Sequence, residues 1–256
     1  MADIEFSREG HVAHVRLNRP KSLNAINAAM ETALGDAWNQ INADPEIWVA
    51  VMSAEGERAF CAGGDVSSEG GHGARIAFGG GITGVGGPLV KLKKPLIAAV
   101  QGYVLGGGFE LALCADIIVA ASNAQFGMPE TKVGIIGECG VLHRAIRQLP
   151  YRVAMAMILT GERMPAKDAL AYGLVNEVVE PAELKDAAAR WAGKIVAASP
   201  LAVQAAKEAA LQGLGWPLEI ALSTRYEPIE RYATTQDRDE GRKAFAEKRA
   251  PQWQGR

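Results

Sequence analysis

Cysteine is scarce: the 256 residues contain three, Cys61, Cys114 and Cys139, an odd number with no C-x-x-C pair. That count argues against a disulfide framework or a zinc knuckle and fits a reducing compartment. Four histidines, His11, His14, His72 and His143, show no metal-ligand spacing with one another, so no metal is expected. No stretch reaches the roughly 18 uninterrupted apolar residues that a spanning helix requires. The first residues, Met1-Ala2-Asp3-Ile4-Glu5, carry charge where a secretory signal has an apolar core. A cytoplasmic protein with no membrane partner is the expectation. Charge of one sign is also missing: 27 Lys and Arg stand against 29 Asp and Glu, a formal net charge of −2. No global field therefore draws in nucleic acid. A nucleophile elbow, G-x-S-x-G, is absent as well.

What is present is ordinary globular material, 48 % hydrophobic and 22 % charged. It is long enough for one large domain, or one domain with an appendage, that buries most of its unfolded surface. Residues His11 to Leu17 read as a strand ended by Asn18-Arg19-Pro20. Apolar residues from Ile26 to Ile41 then recur at three-to-four-residue spacing until Asp44-Pro45, which predicts a helix. Short apolar runs at Trp48 to Met52, Leu96 to Val100 and Ile117 to Ala121 read as buried strands. Strands of that kind alternating with helices predict α/β layers around a largely buried sheet. Nine of the 29 glycines fall between Ser67 and Gly87, which reads as a mobile surface loop, either an inert insertion or a wall beside a pocket. From Glu183 onward the pattern is helical: Leu184 to Val196, a helix opened by Ser199-Pro200, Leu218 to Tyr232, and Asp237 to Lys248 with Phe245 as its apolar anchor.

Three segments carry candidate chemistry. In Gln101-Gly102-Tyr103-Val104-Leu105-Gly106-Gly107-Gly108-Phe109-Glu110 a strand runs through three glycines into an apolar helix. Glycines let a ligand atom approach the backbone, and the first amides of a helix lack internal partners, so such a turn can hold an oxyanion. A phosphate loop would continue with Lys-Ser/Thr, whereas Phe109-Glu110 follows here and a carboxylate repels phosphate. Taken alone, the pattern fits a helix–strand packing cluster equally well. In Ala59-Phe60-Cys61-Ala62-Gly63-Gly64-Asp65 a second glycine turn follows a strand and can supply a second amide to the same oxygen. Cys61 has no histidine nearby in sequence to activate it, and reads as a small packed residue. In Gln125-Phe126-Gly127-Met128-Pro129-Glu130 a glutamate stands behind a proline after an apolar strand, a candidate acid or base, although most glutamates are simply solvated.

The collinear order of these segments resembles the crotonase (enoyl-CoA hydratase/isomerase) superfamily. So do Asn18-Arg19-Pro20-Lys21-Ser22-Leu23-Asn24-Ala25, Ala98-Ala99-Val100-Gln101-Gly102 and Glu240 to Arg249. The resemblance implies an α/β fold, a crotonase-like spiral of ββα units. Residues 1–195 would form the core with the CoA-thioester site, and residues 196–256 a C-terminal helical trimerisation region in a homotrimer or dimer of trimers. It implies that the amides of Gly64 and Gly107 form an oxyanion hole, that Glu110 handles water at Cβ, and that Glu130 exchanges a proton at Cα. Lys21, Ser22, Leu23, Ala62 and Asp65 would contact substrate near the CoA, and Lys248 its phosphates, often across a subunit boundary. No cofactor is implied beyond the CoA of the substrate. Such chemistry needs preorganised donors because a thioester α-proton is weakly acidic, and it needs carboxylates whose burial raises their pKa.

Both glutamates being present favours enoyl-CoA hydratase activity, syn addition or elimination of water, within fatty acid metabolism. The alternatives are a carnitinyl-CoA dehydratase, which Gly-Gly-Phe-Glu, Met-Pro-Glu-Thr-Lys and the ending Pro251 to Arg256 resemble, and an enoyl-CoA isomerase. One relative binds AU-rich RNA, but the helix after Leu23 lacks lysine and the net charge is negative. The chain departs from the family pattern at Ile136-Gly137-Glu138-Cys139-Gly140-Val141, where a proline and small residues are usual.

Overall fold

The computed structural model describes residues 3–65, 83, 85–87 and 89–256. The glycine-rich stretch expected to form a loop or pocket wall therefore lies outside the described residues, apart from Thr83 and Val85 to Gly87.

A six-stranded sheet runs in the order β1 (Ile4–Glu9), β2 (Val12–Leu17), β3 (Val49–Ala54), β5 (Leu96–Val100), β7 (Ile117–Ala121), β10 (Glu177–Val179). Only the β1–β2 pair is antiparallel. Its central strands are almost wholly apolar, Ser53 near the end of β3 excepted, because helices cover both faces. On one face Ala50, Met52, Leu96, Ala98, Val100, Ile118 and Ala120 join Met30, Leu34, Trp38 and Ile41 of helix α1 (Ala28–Ala43). On the other, Val49, Val51, Ile97, Ala99, Val119 and Ala121 pack on Leu184, Ala187, Ala188 and Ala192 of the helix Leu184–Val196. Helix α1 starts where Asn27 accepts a hydrogen bond from the amide of Met30 at 2.8 Å.

A smaller sheet has the order β4 (Ala59–Cys61), β6 (Tyr103–Leu105), β8 (Gln125–Gly127), β9 (Arg163–Pro165). The chain passes three times from the large sheet to the small one, β3 to β4, β5 to β6 and β7 to β8. Each passage is tight. At Gly102, with φ +55°, an added Cβ would lie 2.2 Å from the carbonyl oxygen of Arg58, so only glycine fits between β4 and β6. After β6 comes helix α2 (Gly107–Ala112); after β8 comes the 3₁₀ turn Pro129–Val133. This is the expected α/β spiral of strand pairs, with a helical turn directly after β6 and after β8, and the parallel strands β4, β6 and β8 end on the same side of the small sheet.

Beyond the 3₁₀ turn follow α3 (Val141–Gln148), α4 (Tyr151–Thr160), α5 (Ala166–Ala171), α6 (Leu184–Val196), α7 (Pro200–Gly213), α8 (Leu218–Ser223), α9 (Glu227–Tyr232) and α10 (Gln236–Glu247). Two expectations need correction. The helix expected from Leu218 to Tyr232 is two helices, broken at Thr224, with Pro228 in the first turn of α9, where a missing N–H costs nothing. Phe245 is no anchor within this chain, being 88 % exposed. Helix α10 is instead held through Ala244 and through Asp237, whose carboxylate accepts from the amides of Gln254 and Gly255 at 2.8 and 3.0 Å.

Candidate active site

Two glycine turns meet because side chains are missing where they touch. An added Cβ on Gly108 would lie 2.3 Å from the carbonyl oxygen of Cys61, so the first turn of α2 rests directly on the end of β4. Gly106 takes φ +53° and ψ −127°, a conformation open essentially to glycine. The Cβ position of Gly63 (φ +112°) is 3.4 Å from the amide nitrogen of Gly107. Ile26 donates to Gly63 O and accepts from Asp65 N, both at 2.9 Å, which turns the Gly64 N–H to the opposite side of its strand. Among the described residues, neither the Gly64 nor the Gly107 amide donates to a protein acceptor.

Glu110 sits one turn into α2 and is 2 % exposed. Its Oε1 accepts from the amide of Val141, the first residue of α3, at 3.1 Å. Burial pushes its carboxyl up to about 7; the Val141 N–H opposes that rise, and the nearby Glu130 carboxylate adds to it. Glu130 lies on the 3₁₀ turn after β8. Its Oε2 is buried with no hydrogen-bond partner among the described residues, and burial raises its pKa. The two carboxylates converge. An added Cβ on Gly137 would be 3.2 Å from Glu130 Oε1 and 3.4 Å from Glu110 Oε1. The Cβ position of Gly106 is likewise 3.4 Å from Glu130 Oε1 and 3.7 Å from the Cα of Gly63. Glycine turns and glutamates thus share one small volume, where burial makes both acids hold their protons more tightly than a solvated glutamate would.

Of the residues expected near CoA, Ala62 and Asp65 flank the Gly63–Gly64 turn, and Leu23 is bonded to Ala62. Lys21 and Ser22 are exposed on a 3₁₀ turn, and Leu23 follows in the left-handed region, its carbonyl accepting from Ala62 N at 3.0 Å. Asp65 is ion-paired to Arg19 at 3.0 Å. Lys248 is exposed at the end of α10, and among the described residues no hydrogen bond or ion pair of its side chain reaches the glycine turns. Cys61 is buried and its thiol is pushed up to about 12, which leaves it protonated and no nucleophile. At the segment that departs from the family pattern, Glu138 faces solvent, whereas Cys139 is buried with Glu110 close enough to help raise its thiol pKa, after the larger effect of burial.

Four residues that organise this site lie in segments the sequence marks but received no role from it. Asn24 is buried and ties the preceding 3₁₀ turn to β4, donating to Ala59 O at 2.9 Å and accepting from Arg19 N at 2.8 Å. Arg19 secures Asp65. Gly137 and Val141 meet the glutamates from the far side, beside a cavity of about 20 Å³ lined by Met128, Glu130, Thr131, Ile136, Gly137, Val141, Leu142 and Ile158. Apart from the local Asn24–Arg19 bond, these contacts cross between separate segments, so nothing local in the sequence marks them. Among the described residues, no group of three His, Cys, Asp or Glu side chains is placed to hold a metal.

A family model described as enoyl-CoA hydratase/isomerase matches residues 7–256. A structure from Novosphingobium aromaticivorans, assigned as a short-chain enoyl-CoA hydratase, is 65 % identical with a TM-score of 0.92, covering 100 % of this chain and 99 % of that one. The (E)-benzylidenesuccinyl-CoA hydratase of Thauera aromatica is 41 % identical over 98 % of this chain and 99 % of its own. The carnitinyl-CoA dehydratase of Salmonella typhi is 41 % identical over 99 % and 98 %.

Proposed function

The chain belongs to the enoyl-CoA hydratase/isomerase family, and from that premise we propose that it is an enoyl-CoA hydratase, a hydro-lyase acting on CoA thioesters. The carrying observation is the convergence of the buried Glu110 and the half-buried Glu130, both of raised pKa, on one point beside the paired glycine turns. In this reading the amides of Gly64 and Gly107 hold the thioester oxygen as the enolate forms. Loss of one such donor typically costs about 3–4 kcal/mol of transition-state stabilisation. Glu110 takes a proton from water as its oxygen bonds to Cβ, and Glu130 delivers a proton to Cα; both act from one face, so addition is syn. Elimination runs the same steps backward.

Lys21, Ser22, Leu23, Ala62 and Asp65 line the approach of the CoA, and Lys248 reaches its phosphates from a neighbouring copy. A homotrimer or dimer of trimers is supported by large apolar side chains left exposed on the C-terminal helices, among them Leu214, Leu218, Leu222 and Phe245. No helix among the described residues is long and apolar enough to cross a membrane, in keeping with work on a cytoplasmic fatty-acyl thioester. Dehydration of a carnitinyl thioester is the second reading. The whole-length likeness to the Salmonella typhi enzyme favours it, and it uses the same groups.

Purified protein should consume crotonyl-CoA, read as loss of the conjugated enoyl absorbance. Glu110→Gln and Glu130→Gln should each lower kcat roughly a hundredfold or more while CoA binding by calorimetry persists. Normal turnover in both variants would refute the assignment of roles. Product analysis with crotonobetainyl-CoA and a 3-enoyl-CoA separates dehydratase and isomerase activity from hydration.

A further inference from the structure

Val141 touches the site in two ways. Its amide donates to Glu110 Oε1 at 3.1 Å. Its side chain occupies the space opposite Gly137: an added Cβ there would be 2.4 Å from Val141 Cγ1, 3.2 Å from Glu130 Oε1 and 3.4 Å from Glu110 Oε1. The valine methyl therefore stands no further from either carboxylate oxygen than the sum of two such short distances. Gly137 lacks a side chain, and Val141 fills the volume that one would take.

Resting on the hydratase reading, this placement has a consequence for substrate. Cα and Cβ must lie beside Glu130 and Glu110 for their protons to move. A substituent on Cβ that continues toward Val141 would meet Met128, Leu142 and Ile158 behind it. Among the described residues the space there is about 20 Å³, room for one water or one methyl group. Apart from Glu130 its lining is apolar, and the one hydroxyl, on Thr131, donates to Ile158 O at 3.2 Å. We propose that Val141 is a specificity-determining residue that restricts the site to enoyl thioesters with a compact, uncharged substituent at Cβ, a methyl or short alkyl group.

The test compares kcat/KM for crotonyl-CoA and trans-2-decenoyl-CoA. Wild-type protein should strongly prefer the short substrate. Val141→Ala should move the ratio about tenfold or more toward the long one, the discrimination expected when a wall loses one or two methyl groups. Val141→Thr, similar in shape, should keep the wild-type ratio. Should Val141→Ala not fold, Ile158→Ala at the same cavity must show the shift instead. An unchanged ratio in whichever of the two truncations folds, or a wild-type protein indifferent to chain length, overturns the proposal. A wild-type protein that hydrates neither thioester overturns the hydratase reading along with it, and so is told apart from the first failure.

Discussion

Replacing Glu110 with glutamine should stabilise the protein at alkaline pH while impairing its chemistry. The folded chain raises this carboxyl from 4.5 to about 7, chiefly because ionisation leaves a charge away from water. Below about pH 4.5 the group is protonated folded or unfolded and exacts no penalty. As pH rises toward 7 the unfolded chain gives up its proton first, so the native state binds more protons and stability falls. The interval from 4.5 to about 7, at about 1.4 kcal/mol per pH unit, amounts to about 3 kcal/mol lost above neutrality. Glutamine stays neutral, fills the same volume and still offers an oxygen to the Val141 amide. Urea unfolding of both proteins at one concentration, from about pH 5 to pH 8, measures the difference. Glu110→Gln should match wild type within about 1 kcal/mol at the acid end and exceed it by about 3 kcal/mol at the alkaline end. A difference that does not change with pH, or that grows toward acid, would refute the argument from burial.

Other substitutions probe the surrounding scaffold. Gly137→Ala should abolish hydration, since its Cβ would sit 2.4 Å from Val141 Cγ1, and adding Val141→Ala should restore part of the rate; a strictly additive double-mutant cycle would contradict the contact. Gly108→Ala, whose Cβ would fall 2.3 Å from Cys61 O, should cost about 3 kcal/mol or more in denaturant unfolding and part the two glycine turns. Arg19→Ala removes the 3.0 Å ion pair to Asp65 and should cost about 2 kcal/mol, with kcat lowered because Asp65 adjoins Gly64. Cys61, buried with its thiol pushed up to about 12, should resist thiol reagents in the native protein at pH 8, and labelling mapped to its peptide would contradict that.

How much of this was legible beforehand depended on length and burial. Leu96–Val100, Ile117–Ala121 and Leu184–Val196 emerge with the bounds expected from pattern alone, because unbroken apolar runs and helical spacing survive in any environment. The three-residue strands β4, β8 and β9 carry no measurable alternation and went unread, and β6 was visible only as the run leading into three glycines, although together they form the sheet that leads to the site. Phe245 sits at helical spacing, which says that a residue faces one side of a helix but not which surface covers that side. For the site, the glycine turns and both glutamates were legible only in combination, through the order of their motifs. Gly137, Val141 and Asn24 were silent because each acts on a segment far away in sequence.

Half of the groups assigned to the reaction belong to the main chain. The NH groups of residues 64 and 107 are offered by any amino acid except proline, so no side-chain truncation deletes them. What a mutation can do is move them, by giving a side chain to a neighbour that must have none. Drift at this locus is therefore policed by crowding rather than by loss of a functional group, and an oxygen-for-nitrogen replacement in the backbone itself, made by semisynthesis, is the only subtraction that leaves the architecture standing.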